Sequence, residues 1–501
     1  MRRTSLFVVV VAAAAFLSVR GGGAQTPAAP QTPPSLGAAR AGRPTEPPHK
    51  RDAELGWRLA PSDQAYAAID GQHLKQYVEE LTGMSRRYRD AGHQFWGRIT
   101  GTEADVENAQ WMLAKFRQIG LSDIHEQTLD LPPQWMPQSW SVVATGAGKT
   151  LNVDTAQPTY LAVGTPPEGL DLEAVWVGLA SEADIALSRD VKGKAVFFYS
   201  TDTASRHQPI SDNAIKRLGD RGAAAIFVVL GIAGNERTQF YPVNRPVPTF
   251  SVGQRDGLAV RDLIAAAGAT PAHVKVRLDV RRVPNLKSAT IWGTLPGLTD
   301  ESIVVVAHRD GWFEGANDNA AGVATMIGLA EYFAKIPKEQ RKRTIYFLGT
   351  DGHHDNGAES GTWLAQHPEF FAKTAVLLNA EHTGALETVG GSTRLTNAPG
   401  ASTWYAGGAR LAELVVKALD AFGVPTYPES SPTPAGEIGR YYQLAPAVQV
   451  MSTGYVWHSD QETAATISAS GLAAVTRVYA KVMADSNSLT LDELRGRRAT
   501  Q

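Results

Sequence analysis

Cysteine is absent from all 501 residues. No disulfide can staple this chain and no lipid can ride on a cysteine thiol, so packing alone must hold it together. A charge of one sign is missing as well. The chain has 48 Lys and Arg against 50 Asp and Glu, a formal net charge of −2, so it has neither the footprint of a nucleic-acid surface nor that of a polybasic membrane contact. Long apolar runs are also scarce: the stretch Leu6 to Leu17 is too short to span a bilayer. What remains is ordinary for a globular protein, with 43 % hydrophobic and 20 % charged residues in a length that suits two or three domains.

The short apolar run has a different meaning. Arg2 and Arg3 precede it and the small residues Gly21 to Ala24 follow, the layout of a secretory signal peptide over residues 1–25. Residues 26–60 are rich in Pro, Ala and Gly and read as a disordered linker. The expected location is therefore secreted or periplasmic. Beyond the linker, residues 61–152 and 283–485 share one α/β pattern, residues 153–282 read as an inserted β-rich module, and 486–501 form a charged tail. Thr102 is placed to cap a helix that Gly120 stops, with Val106, Ala109, Leu113 and Phe116 on its inner face. The expected fold is α/β, a mixed and mostly parallel sheet covered by helices.

Chemistry gathers at strand ends. The β-branched run Ile303 to Ala307 is a buried parallel strand by pattern, and it ends in His308-Arg-Asp310. Asp318 follows just before a helix-period segment carrying Val323, Met326, Ile327, Ala330 and Phe333. Open α/β sheets place their sites at such carboxyl ends. His308 and Asp318 are suitable donors for a divalent metal, and Asp310 can hold the imidazole from behind. A single His-x-Asp carries little weight. Three further apolar strands, however, run out into Asp351-Gly-His353-His354-Asp355, into Glu381-His382, and into Trp457-His458. Four strand ends that each supply an imidazole or an acid are rarely an accident.

In that order these residues resemble metallopeptidase family 28, the co-catalytic zinc exopeptidases. The matching stretches are Gly97-Arg-x-x-Gly101-Thr102, His308-x-Asp310, Asp318-Asn319-x-x-Gly322, Asn379-Ala380-Glu381 and His458-Ser-x-x-Glu462-Thr463. The inserted module resembles a protease-associated domain at Val191-Lys-Gly-Lys194, Gly222-Ala-Ala-Ala-Ile226 and Pro246-Val-Pro248. The resemblance implies a peptide substrate, a zinc exopeptidase fold and two Zn²⁺ ions. It places His308, Asp318 and Glu381 on one ion, with Asp318 bridging, and His354 and His458 on the other. Aminopeptidase is the default activity among bacterial members.

Two departures from the family pattern bear on mechanism, one being Glu381 where the family usually has Asp. Where the family carries two adjacent glutamates after the Asp351-Gly352 position, this chain has His353-His354. The first glutamate is the general base and the second a ligand. His354 can replace the ligand, and His353, with an ordinary pKa near 6.5, is the candidate base. Glu314, Asp355 and Glu359 are reserve carboxylates that read as solvated loop residues. Loss of the acid pair also fits a catalytically impaired member that serves as a binding module.

Overall fold

A computed structural model describes residues 58–496, except 189, 201–206, 242–246, 355–362, 364–365, 389–394, 430 and 455. The expected leader, residues 26–57, Pro246, Asp355, Glu359, Tyr455 and residues 497–501 lie outside the described residues.

Two eight-stranded sheets organise the described chain. In the first, neighbouring strands are Thr426–Pro428, Ser402–Ala406, Ala447–Met451, Thr374–Asn379, Thr299–His308, Arg343–Thr350, Lys287–Leu295 and Ser122–Asp130. The four from Ala447–Met451 to Arg343–Thr350 are mutually parallel, and the strands flanking them, Ser402–Ala406 and Lys287–Leu295, run antiparallel to them. Side chains explain the centre. Ile303, Val305 and Ala307 enter one hydrophobic cluster while Val304 and Val306 enter another on the opposite face. A strand apolar on both faces is stable only when both are covered. Helices Gly71–Asp90, Glu103–Ile119, Gly322–Ala334, Ala409–Phe422 and Ala469–Ser486 supply the first cover.

Local signals start and stop these helices. The Asp70 carboxylate accepts from the Gln72 amide at 2.8 Å, and the Ser468 hydroxyl accepts from the Gly471 amide at 2.9 Å. Gly120 ends Glu103–Ile119 with φ at 85°. Val106 does not join the buried face of that helix: it is 57 % exposed. The packed stripe runs through Ala104, Asn108, Ala109, Met112, Leu113 and Phe116, and Val106 falls on its flank.

The second sheet carries the insert, in the order Lys149–Asn152, Gln134–Gly146, His273–Val283, Leu170–Trp176, Ala195–Tyr199, Ala225–Val229, Thr249–Val252 and Gln157–Pro158. It begins earlier than residue 153. Gln134–Gly146 pairs along its length with His273–Val283, so these residues belong with the insert. The physical reason is Pro132-Pro133, which cannot donate to a ladder and ends the pairing of Ser122–Asp130 with the first sheet.

Among the described residues, no helix is long and apolar enough to cross a membrane.

Candidate metal centre

Parallel pairing brings the carboxyl ends of four strands to one edge of the first sheet, and every candidate donor follows one of those ends. His308 closes Thr299–His308, His353 and His354 follow Arg343–Thr350, Glu381 follows Thr374–Asn379, and His458 follows Ala447–Met451. Asp318 comes from the segment Ala316–Ala321 that leads into helix Gly322–Ala334. That helix starts hard against the sheet. A Cβ on Gly322 would stand 2.1 Å from the Ala380 carbonyl oxygen, so only glycine allows this approach. Asn319 secures the same junction, donating from Nδ2 to the carbonyls of His308 and Ala380, each at 3.0 Å.

The site is centred on Asp318. His308 Nε2 lies 3.1 Å from its Oδ1, while His458, His382 and His354 bring Nε2 atoms to 2.8, 3.1 and 3.3 Å from its Oδ2. Glu381 Oε1 is 4.0 Å from His308 Nε2 and 3.8 Å from His353 Nε2. Three trios of single ligand atoms, His308–His353–Glu381, His308–Asp310–His354 and Asp318–His354–His458, each fall within 4.8 Å of one another.

These residues fit a divalent cation on an observation independent of spacing. His308 Nε2, Asp318 Oδ1 and His382 Nε2 are buried and make no hydrogen bond, although each lies near an oppositely suited atom. Buried polar atoms are rarely left in that state. Here the lone pairs converge on common space, as ligand atoms do. His382 and His458 both sit on left-handed backbone, φ 51° and 59°, a strain that the surrounding structure must impose.

Partners behind the donors fix their orientation. Asp310 accepts at Oδ1 opposite His308 Nδ1 (3.2 Å), as sequence expects, and its Oδ2 accepts from the His354 amide at 3.0 Å while lying 3.1 Å from His354 Nδ1. Glu462 accepts from the amides of Asn317 and Asp318 with one oxygen and from His458 N with the other, tying two donor loops together. Trp312 stacks on His354 with centroids 4.4 Å apart, and Trp457 on His458 at 3.6 Å. Trp457 also donates to Asp318 Oδ2 at 2.9 Å. Arg98 lies fully buried behind the loop, donating to the carbonyls of Arg309, Glu314 and Gly315. Glu314 is engaged by Arg86 at 2.7 Å and is not a spare acid for the site.

The insert reaches this centre directly. Gln239 N donates to the His458 carbonyl at 2.8 Å, and Arg237 and Asp460 exchange contacts at 3.1 and 3.0 Å. Tyr241 is half-buried with its hydroxyl 3.4 Å from His353 Nε2 and its ring edge-on to His458. Burial, then Asp318 and Glu381, push its pKa well up, so it is a neutral hydrogen-bond donor. Sequence reasoning does not single out Tyr241, His382, Glu462 or Trp312 as site residues. His382 adjoins Glu381 and Glu462 lies in the last matched motif, whereas Tyr241 arrives from a module with no ligand pattern.

Neighbouring charges and burial set the protonation of these side chains. Burial opposes a charge on His354, but Asp318 and Asp310 hold its imidazolium and lift it to about 9. Burial likewise opposes a charge on His308 and His382, and carboxylate partners raise both. Burial drives His353 well down, with His308 and His354 adding to it, and takes His458 to about 3. Asp310 and Asp318 stay ionised despite burial because imidazolium groups face them. Such a set, imidazole and carboxylate converging in a dry cleft, suits cations and hydrolytic chemistry.

An α/β sheet with a cation site at its carboxyl edge defines the class of protein. Residues 290–483 match the model of peptidase family M28. The fold is similar to that of a zinc aminopeptidase from Bacillus subtilis (TM-score 0.62, 16 % identity, 84 % of this chain and 97 % of that one). It is also similar to a peptidase M28 precursor from Shewanella amazonensis (TM-score 0.67, 16 % identity, covering 87 % and 97 %). A 90-residue segment is 38 % identical to a vacuolar membrane protease of Clavispora lusitaniae, over 17 % of this chain and 8 % of that relative's length.

Proposed function

We propose that this chain is a zinc-dependent exopeptidase, an aminopeptidase, that acts on peptides outside the cytoplasm. The observation that carries this reading is the convergence on Asp318 of imidazoles from separate strand ends, with three ligand-type atoms buried and unbonded. His308, Glu381 and Asp318 would hold one Zn²⁺, and Asp318, His354 and His458 a second. Bound zinc supplies Lewis acidity and an acidified water. The chain's own groups do the rest: Asp310 and Glu462 hold the donors in place, and Tyr241 offers a hydroxyl to a substrate oxygen or nitrogen. The similar structures named as aminopeptidases support that specificity. The module around Tyr241 has the motifs of a protease-associated domain and supports a role in covering the substrate. Export rests on Arg2, Arg3 and the apolar run after them.

The test is a panel of aminoacyl-p-nitroanilides, free dipeptides and N-acyl dipeptides, assayed with and without a zinc chelator. Cleavage only of substrates with a free α-amino group, abolished by chelator, is the expected result. Cleavage confined to N-acyl dipeptides would make the protein a carboxypeptidase. A second reading, a binding module, is favoured by one feature: His353 and not an acid fills the base position. Zinc-loaded protein that cleaves none of these substrates would establish it.

A further inference from the structure

We propose that His353 is a metal ligand, a fourth side chain on the ion held by His308, Glu381 and Asp318, and not a proton acceptor. This rests on the reading of the centre as a metal site and names a donor that the resemblance does not.

The geometry is that of a coordination triangle. His353 Nε2 is 3.8 Å from Glu381 Oε1, His308 Nε2 is 4.0 Å from the same oxygen, and the three atoms lie within 4.8 Å of one another. Three donors bonded in a plane to one zinc at roughly 2.1 Å stand roughly 3.6 Å apart. The His308 and His353 rings lie side by side, centroids 4.3 Å apart and 26° from parallel, as two adjacent ligands do.

Glu381 is fixed so that only Oε1 faces them. Its Oε2 accepts from Asn379 Nδ2 and from the Glu437 amide, both at 2.7 Å, and a Cβ on Gly436 would come within 2.4 Å of the carboxylate. The backbone therefore clamps the acid with one oxygen turned toward the imidazole pair. The loop carrying His353 is held in turn, because Asp310 accepts from the His353 and His354 amides at 3.4 and 3.0 Å. A general base needs only to reach its water, one hydrogen bond or ~2.6–3.2 Å away. His353 Nε2 lies at ligand spacing from Glu381 Oε1, 3.8 Å. Adjacent histidines thus serve different ions, His353 with His308 and Glu381, and His354 with His458.

The experiment uses full-length protein stripped of metal and titrated with Zn²⁺ and with Co²⁺, comparing wild type, His353→Ala and His353→Gln. Readouts are stoichiometry, affinity against a chromophoric chelator, and the visible absorption of bound Co²⁺. Circular dichroism of each metal-free protein checks that the variants fold, and the glutamine variant, close in reach to the imidazole, stands in should alanine unfold. The expected result is a loss of affinity at one of two sites of at least ~10-fold with an altered Co²⁺ spectrum. Folded variants that bind two ions with wild-type affinity and an unchanged spectrum would overturn the assignment while leaving the metallopeptidase reading intact. Wild-type protein that takes up neither ion would remove that reading and this inference together.

Discussion

At the scale of single residues the centre is an exercise in compensation. Asp310, Asp318 and Glu381 are buried, and imidazolium protons compete with a cation for their charge. Zinc must displace those protons, so affinity must climb with pH. The sign follows from the groups: His354 keeps its proton up to about 9 in the metal-free protein, so acidification favours the proton and alkalinisation the metal. Chelator competition at pH 6, 7 and 8 should show binding tighten at least ~10-fold overall, and a flat profile would contradict this. Glu462 acts through others. It accepts three backbone amides from the Asp318 and His458 loops, and Glu462→Gln loses part of that clamp. Zinc affinity should fall ~10–100-fold while the fold persists, which the same competition assay reads.

At the scale of elements, two junctions can be tested by stability. Helix Gly322–Ala334 starts so close to the exit of strand Thr374–Asn379 that Gly322→Ala must push backbone aside. A loss of about 1–3 kcal/mol in urea unfolding is expected, and an unchanged midpoint would show that the junction yields freely. The insert meets the peptidase domain near Glu236, buried and without an ion-pair partner among the described residues, its pKa lifted by burial from 4.5 to about 7. A raised acid favours the folded state when protonated, so its contribution is complete below pH 4.5 and lost as pH rises to about 7. The loss is at most about 3 kcal/mol. Glu236→Gln should flatten thermal stability between pH 5 and 7.5; a slope equal to that of wild type would assign the effect elsewhere.

Much of this organisation is legible in the sequence because strands and ligands coincide. The apolar runs before His308, Asp351, Glu381 and Trp457 are strands in the structure, and parallel pairing follows from their two-sided burial. What the sequence hides is set by three dimensions. Tyr241 reaches the centre because the insert pairs Thr238 with Ser459, a contact across 221 positions that no local pattern encodes. His382 carries no spacing signal beyond its neighbour Glu381. The early start of the second sheet is concealed because Gln134–Gly146 follows the first sheet's last residues with only a proline pair between.

At the scale of the whole molecule, one sheet edge draws donors from residues 308 to 458 into a space a few ångströms wide, and the insert touches it through Tyr241 and Gln239. Metal should therefore stabilise the entire peptidase domain. At zinc concentrations 100 times the dissociation constant the gain is about 2.7 kcal/mol per site, visible as a rise in melting temperature that chelator reverses. The most direct test is calorimetric titration of stripped, full-length protein with Zn²⁺ at pH 7.5. Two equivalents bound per chain with release of protons are expected. Titration with no saturable heat and no zinc retained after desalting would show that the converged imidazoles and carboxylates are not a metal centre.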